Sequence, residues 1–134
     1  MEIKEYIDFD REAIEELYRS VGWINYLKRS ETLEKAYENS LCTLAAYEGD
    51  KLIGIIRAVG DGLTIVFIQD IIVLPEYQRM GVGSKLLNAM IEKYRDVYQI
   101  ELFADNVGSL KAFYRSAGFT PSDEMGCIAY IRMN

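Results

Sequence analysis

The 134-residue chain contains no histidine. Ser-His-Asp and Cys-His nucleophilic machinery, histidine-ligated zinc and a histidine general base are therefore excluded. Proton chemistry falls to carboxylates, tyrosines, lysines, thiols or water. Cysteine is almost as scarce. Cys42 and Cys127 each lie in a strand-like stretch with no second thiol nearby, so both are expected to be buried small hydrophobes, and no metal site is expected. The two prolines, Pro75 and Pro121, fall at the ends of expected elements. No apolar run reaches the roughly 18 residues of a membrane span. The opening MEIKEYIDFDRE has neither the basic start nor the apolar core of a signal peptide. A cytoplasmic protein with no membrane partner is the expectation. The basic residues form no stripe and the net charge is −6, which argues against nucleic acid as a partner and is compatible with a cationic substrate.

Half of the residues are hydrophobic and 27% are charged, the balance of an ordinary globular chain. The length suits one domain, 1–134, with enough buried surface to need no covalent staples. Residues 2–7 read as a strand running into a helix cap at Asp8 and Asp10. Ile14, Leu17, Tyr18 and Val21 recur at helical spacing up to Gly22. A second helix covers 31–40 with Leu33, Ala36 and Tyr37 on one face. Between them lies an aromatic link containing Trp23, Asn25 and Tyr26. Strand-like runs follow at 41–47, 52–59 and 63–74, separated by the hairpin signals Glu48-Gly49-Asp50 and Gly60-Asp61-Gly62.

A helix with Leu86, Leu87, Met90, Ile91 and Tyr94 on its apolar stripe then leads to a strand at 98–104. A short helix at 109–116, closed by Gly118, and a last strand at 128–133 complete the order. Strand, helix and strand around residue 90 make a βαβ unit, which requires parallel pairing. The expected fold class is therefore α/β with a mixed sheet: mostly antiparallel strands, one parallel pair, and about four flanking helices.

Gln78, Arg79, Met80, Gly81, Val82 and Gly83 join the third meander strand to that helix. Glycines there let the chain turn sharply and aim successive N–H groups at one point, with the helix N-terminus adding roughly half a positive charge. A pyrophosphate suits such a turn, although plain strand-to-helix turns use glycines too.

Taken together, Val73-Leu74-Pro75-Glu76-Tyr77, the Gln78–Gly83 loop and the run Ala112-Phe113-Tyr114-Arg115-Ser116-Ala117-Gly118-Phe119 resemble the GNAT superfamily of acyl-CoA-dependent N-acyltransferases. The signatures run from Ile68 to Phe119, and the first half agrees in its order of elements. The resemblance implies acetyl-CoA as donor, its pyrophosphate held by the amides of Arg79 through Ser84. It also implies that the backbone of Ile71, Ile72 and Val73 binds the pantetheine arm as an added strand and offers one N–H to the thioester oxygen. Tyr114 matches the tyrosine that protonates the leaving thiolate; its bland reading is a packed aromatic beside Phe113. The family's asparagine, seven residues before that tyrosine, is here Val107, with Asn106 one step earlier. Asn106 is thus a coenzyme contact or a helix cap.

The amine acceptor must be deprotonated, since alkylamines have pKa values near about 10.4. Asp70 is the candidate base because it interrupts the apolar run Ile65–Leu74 and is too costly to bury unpaired; the alternative is a structural hydrogen bond. Gln69 is its neighbour on the strand, and strand alternation would put the two on opposite faces. Trp23 and Tyr26 fall where the resemblance places a flap over the acceptor, and either wall that pocket or pack the helices. Arg57, inside a strand, is equally open. The expected activity is N-acetyltransfer to a small or peptidic amine in a ternary complex. The alternative is a non-catalytic acyl-CoA-binding or regulatory module, while a Rossmann or P-loop nucleotide site lacks its partner motifs. Open strand edges would permit a homodimer.

Overall fold

The computed structural model describes every residue, Met1–Asn134. Its chain forms two compact units, Met1–Phe103 and Ala104–Asn134. The first is a five-stranded sheet with strands β1 (Glu2–Glu5), β2 (Cys42–Glu48), β3 (Lys51–Gly60), β4 (Ile65–Val73) and β5 (Gln99–Leu102), in spatial order β1-β2-β3-β4-β5. The first three pairings are antiparallel and β4–β5 is parallel. The expected mixed sheet with one parallel pair is thus the observed one.

Helices α1 (Arg11–Ser20), α2 (Ile24–Leu27) and α3 (Ser30–Glu38) precede β2, and α4 (Val82–Lys93) links β4 to β5. Asp10 caps α1, its carboxylate accepting from the Ala13 amide at 3.2 Å. The buried stripe Ile14, Leu17, Tyr18 lies against β3 and β4. On the other sheet face, α4 buries Val82, Leu86, Leu87 and Met90, each apolar side chain contributing about 1.5–3 kcal/mol. Gly54 on β3 is what lets α4 come so close. A Cβ there would sit 3.0 Å from the Ile72 carbonyl, 3.2 Å from Leu86 and 3.4 Å from Val82.

Several boundaries differ from the sequence reading. The third meander strand starts at Ile65 rather than 63, because the Asp61 carboxylate accepts from the amides of Leu63, Thr64 and Ile65 and holds them in a turn. These bonds, with one from the Thr64 hydroxyl, keep the exposed Asp61 carboxyl below its usual range. The aromatic link forms the one-turn helix α2.

In the second unit, α5 (Gly108–Ser116) and a 3-10 turn at Ser122–Met125 are the only regular elements. The strand expected at 128–133 is absent. A strand exists only by pairing, and Ile128–Asn134 makes no backbone hydrogen bond. Cys127 is correspondingly exposed, contrary to expectation, whereas Cys42 is buried as expected.

Candidate active site

The strand-to-helix turn after β4 is built from backbone. Gly81 caps α4 at φ +84° and Arg79 also has a positive φ, +65°. Alternating left-handed residues curl a chain so that its N–H groups converge. From Arg79 through Ser84, no amide donates to a protein acceptor; the first bonded amide of α4 is Lys85, to Gly81 at 3.0 Å. Residues 79 to 84 thus present a run of unpartnered donors at a helix N-terminus, an arrangement suited to an anion. A Cβ on Gly81 would meet nothing within 4 Å, so its backbone angle, not crowding, demands glycine. Left-handed Arg79 carries strain of about 1–2 kcal/mol, the kind that collects at binding sites.

The strand edge leading into this turn is open. β5 pairs with β4 only as far as Ile68↔Leu102. On the opposite side, Leu74 donates to Ile53 across the extended ladder at 2.9 Å. Opposed residues in an antiparallel pair alternate between bonded and non-bonded. Hence Ile72, opposite Ile55, turns its groups to β3, while Ile71 and Val73 turn theirs to the open edge. The Gln78 side-chain amide donates to the Val73 carbonyl at 3.0 Å, which agrees with that assignment.

A β-bulge organises the other end of this edge. Arg57 pairs with Asp70 and Ala58 with Ile68, so Gln69 is the extra residue. Strand alternation fails here, and Gln69 and Asp70 both address the α1–α2 side. Gln69 donates to the Tyr26 hydroxyl at 3.2 Å, and the Tyr18 hydroxyl donates to Asp70 Oδ2 at 2.8 Å. The Tyr18 and Tyr26 rings meet edge-on at 5.0 Å, with Trp23 6.2 Å from each. Trp23, Tyr26, Gln69 and Asp70 are therefore one cluster, although strand alternation was expected to put Gln69 and Asp70 on opposite faces.

Asp70 is 1% exposed and also takes Arg57 Nε on Oδ2 at 2.7 Å. Its Oδ1 is buried with no partner. Tyr18 spends its single proton on Asp70, so Tyr37, 2.9 Å away, donates to the Tyr18 oxygen. Arg57 further reaches Ser40 at 3.1 Å and lies over the Tyr37 ring. Burial works against the guanidinium charge, but the adjacent Asp70 outweighs it and holds Arg57 above its ordinary value. Burial, and then the charge of nearby groups, pushes the Tyr18 phenol far up; burial does the same to Tyr37.

In the second unit, Tyr114 lies on α5 with its ring edge-on to Phe113 and Phe119 at 5.0 and 6.0 Å. Burial raises its phenol, and its hydroxyl has no hydrogen-bond partner in the chain. Val107, not Asn106, caps α5, without a side-chain bond. Asn106 is exposed, and its reading as a helix cap is removed.

Sequence reasoning missed Tyr18, Tyr37 and Ser40 as members of the buried network. One signal was present: a tyrosine on a helix's apolar stripe carries a hydroxyl that needs a partner inside.

Sheet order, a crossing helix and the connection between them define an α/β protein with an amide-lined turn at its βαβ junction. The chain belongs to the acetyltransferase (GNAT) family, which it matches over residues 8–119. A solved GNAT-family acetyltransferase from Streptococcus pneumoniae TIGR4 is 39% identical, covering 99% of this chain and 97% of that one, with a TM-score of 0.90. An uncharacterized N-acetyltransferase, ycf52-like, from Prochlorococcus marinus is 33% identical over 80% of this chain and 61% of its own length. This chain spans about three fifths of the first curated relatives it matches. The fold is shared with the N-acetyltransferase PaiA of Thermoplasma acidophilum, solved with coenzyme A, at 18% identity, 90% and 91% coverage and a TM-score of 0.72.

Proposed function

We propose that the whole chain, residues 1–134, is one cytoplasmic domain that transfers the acetyl group of acetyl-CoA to an amine by direct attack in a ternary complex. The observation that carries this reading is the run of unpartnered amides from Arg79 to Ser84 at the start of α4, on the fold of a family of acetyltransferases. Val82, Gly83 and Ser84 donate from the helix start, and Arg79, Met80 and Gly81 from the turn. Ile71 and Val73 bind the pantetheine arm as an added strand, with Ile72 keeping them in register against β3. Gln78, now on Val73, is displaced or bridges to the arm, and Asn106 is carried as a further coenzyme contact.

In the reaction, the amine nitrogen bonds to the thioester carbonyl carbon, and one N–H of the β4 edge stabilises the oxyanion that develops. The C–S bond then breaks and Tyr114 protonates the thiolate. The amine gives up its proton to Asp70, whose buried Oδ1 has a free lone pair, through an intervening water. Trp23, Tyr26 and Gln69 line the acceptor side. No metal enters the scheme.

A second reading, a non-catalytic acyl-CoA-binding or regulatory module, is favoured by the pairing of Asp70 with Arg57, which engages the proposed base. Calorimetric titration with acetyl-CoA, against 3′-dephospho-CoA, ATP and NAD, tests the donor site: tightest binding of acetyl-CoA is expected, and none would overturn both readings. Thiol release across a panel of amines separates them. An enzyme releases coenzyme A with at least one amine; a binding module releases it with none.

A further inference from the structure

Both side-chain donors that reach the Asp70 carboxylate reach the same oxygen. Arg57 Nε arrives on Oδ2 from β3 at 2.7 Å and the Tyr18 hydroxyl arrives from α1 at 2.8 Å, while Oδ1 is buried with no partner. A carboxylate oxygen has about two lone-pair sites, so Oδ2 is saturated and the free sites lie on Oδ1. Donors from two separate elements also fix the plane of the carboxylate, whose terminal torsion is otherwise broad.

Behind Tyr18 stands a second buried hydroxyl. Tyr37 comes from α3, and its oxygen lies 2.9 Å from that of Tyr18 and bonds to nothing else. Because Tyr18 donates to Asp70, the Tyr37 proton points at Tyr18, and the two hydroxyls form an ordered chain running toward Asp70 in which each bond polarises the next. The Tyr37 ring packs against Phe9 at 5.3 Å and Tyr6 at 6.1 Å and lies under Arg57 at 5.1 Å. A phenylalanine ring would serve all three contacts, so the hydroxyl is what the packing leaves unexplained. The remaining neighbours are otherwise engaged: on α2 the Tyr26 hydroxyl accepts from Gln69, and Ser40, after α3, accepts from Arg57 and does not reach Asp70.

We propose that Tyr18 and Tyr37 are positioning residues for the transfer: with Arg57 they occupy Oδ2 of Asp70, so that the proton of the acceptor amine is taken at Oδ1. The proposal rests on the reading of Asp70 as the base. Tyr18 acts on Asp70 directly and Tyr37 acts only through Tyr18. A hydrogen bond donated to the charged form of an acid favours that form, so a carboxylate that loses the Tyr18 bond holds a proton to higher pH.

The test is kcat/KM against pH for coenzyme A release, with whichever amine of the panel reacts fastest, in wild type, Tyr18→Phe, Tyr37→Phe, the double variant and Asp70→Asn. The acid limb should move up by roughly one to two pH units in Tyr18→Phe and by less in Tyr37→Phe. The double variant should match Tyr18→Phe, since Tyr37 has no second route to Asp70. Loss of packing alone would lower activity at every pH and leave the limb in place. Should Tyr18→Phe not fold, Tyr37→Phe keeps every ring contact, carries the same sign and decides. If Asp70→Asn removes the limb while the tyrosine variants leave it unmoved, the positioning role is overturned and Asp70 remains the base. A double variant displaced beyond Tyr18→Phe by the full Tyr37→Phe increment overturns the serial order. A limb that survives in Asp70→Asn, or release with no amine at all, removes the base and the positioning role with it.

Discussion

Arg57 and Asp70 stand opposite one another across β3 and β4, joined through Nε and Oδ2 at 2.7 Å in a setting where both side chains are almost wholly buried. The bulge at Gln69 makes this pairing possible, because it keeps Asp70 in register with Arg57 while Ile68 takes the place opposite Ala58. Removing one partner of such a pair leaves an uncompensated charge. Asp70→Ala and Arg57→Ala should each lower stability by about 3–5 kcal/mol. The double variant should cost clearly less than their sum, since the contact can be lost only once. Urea denaturation of the four proteins checks this; strict additivity would mean the pair is not energetically coupled.

Asp70→Asn separates the chemical role from the structural one. The amide oxygen can still accept from Arg57 and Tyr18, so much of the geometry at Oδ2 is kept while basicity at Oδ1 is lost. If Asp70 takes the amine proton, turnover falls by roughly 10²-fold or more in a protein that remains folded at the assay temperature. An undiminished kcat would confine Asp70 to holding Arg57 and Tyr18.

Gly81 gives a different signature. With φ at +84° and nothing within 4 Å of an added Cβ, Gly81→Ala introduces backbone strain without a clash. The cost falls on the turn's shape, about 1–2 kcal/mol if the angle is kept, or misdirected amides if it is not. Acetyl-CoA affinity should drop roughly tenfold or more while the melting temperature moves little. Gly54→Val behaves in the opposite way: its side chain meets the Ile72 carbonyl, Leu86 and Val82, so overpacking of about 1–3 kcal/mol should appear first as lost stability.

These two glycines also show what a sequence exposes. Gly81 could be read in advance, because a glycine between a strand and an amphipathic stripe has few explanations and its conformation is local. Gly54 carried no such mark, since its need arises from how near α4 lies to β3. The bulge was equally hidden: it depends on β4 having one residue more than β3 between two pairings, a relation between strands that neither strand contains alone. Alternation therefore separated Gln69 from Asp70 when in the fold they act together. Strand composition at 128–133 was legible, but the absence of any backbone pairing there was not. Asp61 displaced a strand start by two residues through bonds made by one carboxylate, an outcome that periodicity does not encode.

Alkaline pH should expose the tyrosine network. Tyr18, Tyr37 and Tyr6 are all raised from 10.0 by burial, Tyr6 to about 12. A phenol raised in the folded state stays protonated when the unfolded chain has begun to ionise. Above pH 10 the folded form therefore binds more protons, and the slope of unfolding free energy with pH is negative. This contribution is complete below pH 10 and is lost above it, for Tyr6 over the interval up to about pH 12. Tyr18→Phe should flatten the decline, at the expense of about 1–3 kcal/mol at neutral pH for the partners it leaves unsatisfied. Denaturation midpoints measured from pH 8 to 11.5 would show it, and a wild-type curve level beyond pH 10 would contradict the burial of these hydroxyls.

Tyr114→Phe isolates the acid proposed for the leaving thiolate. The hydroxyl has no partner within the chain, so its removal should leave stability within about 0.5 kcal/mol of wild type, and any change in rate is then chemical. Turnover should fall by roughly 10²- to 10⁴-fold if the phenol protonates the thiolate in the transition state, with the KM for acetyl-CoA little altered. The raised phenol adds a sign: any loss of kcat caused by its ionisation falls at a higher pH than an ordinary tyrosine would give. A donor whose leaving thiol has a depressed pKa needs less protonation, so the penalty of Tyr114→Phe should shrink as that pKa falls. A penalty indifferent to the leaving group, or a kcat equal to wild type, would leave Tyr114 as an aromatic packed between Phe113 and Phe119.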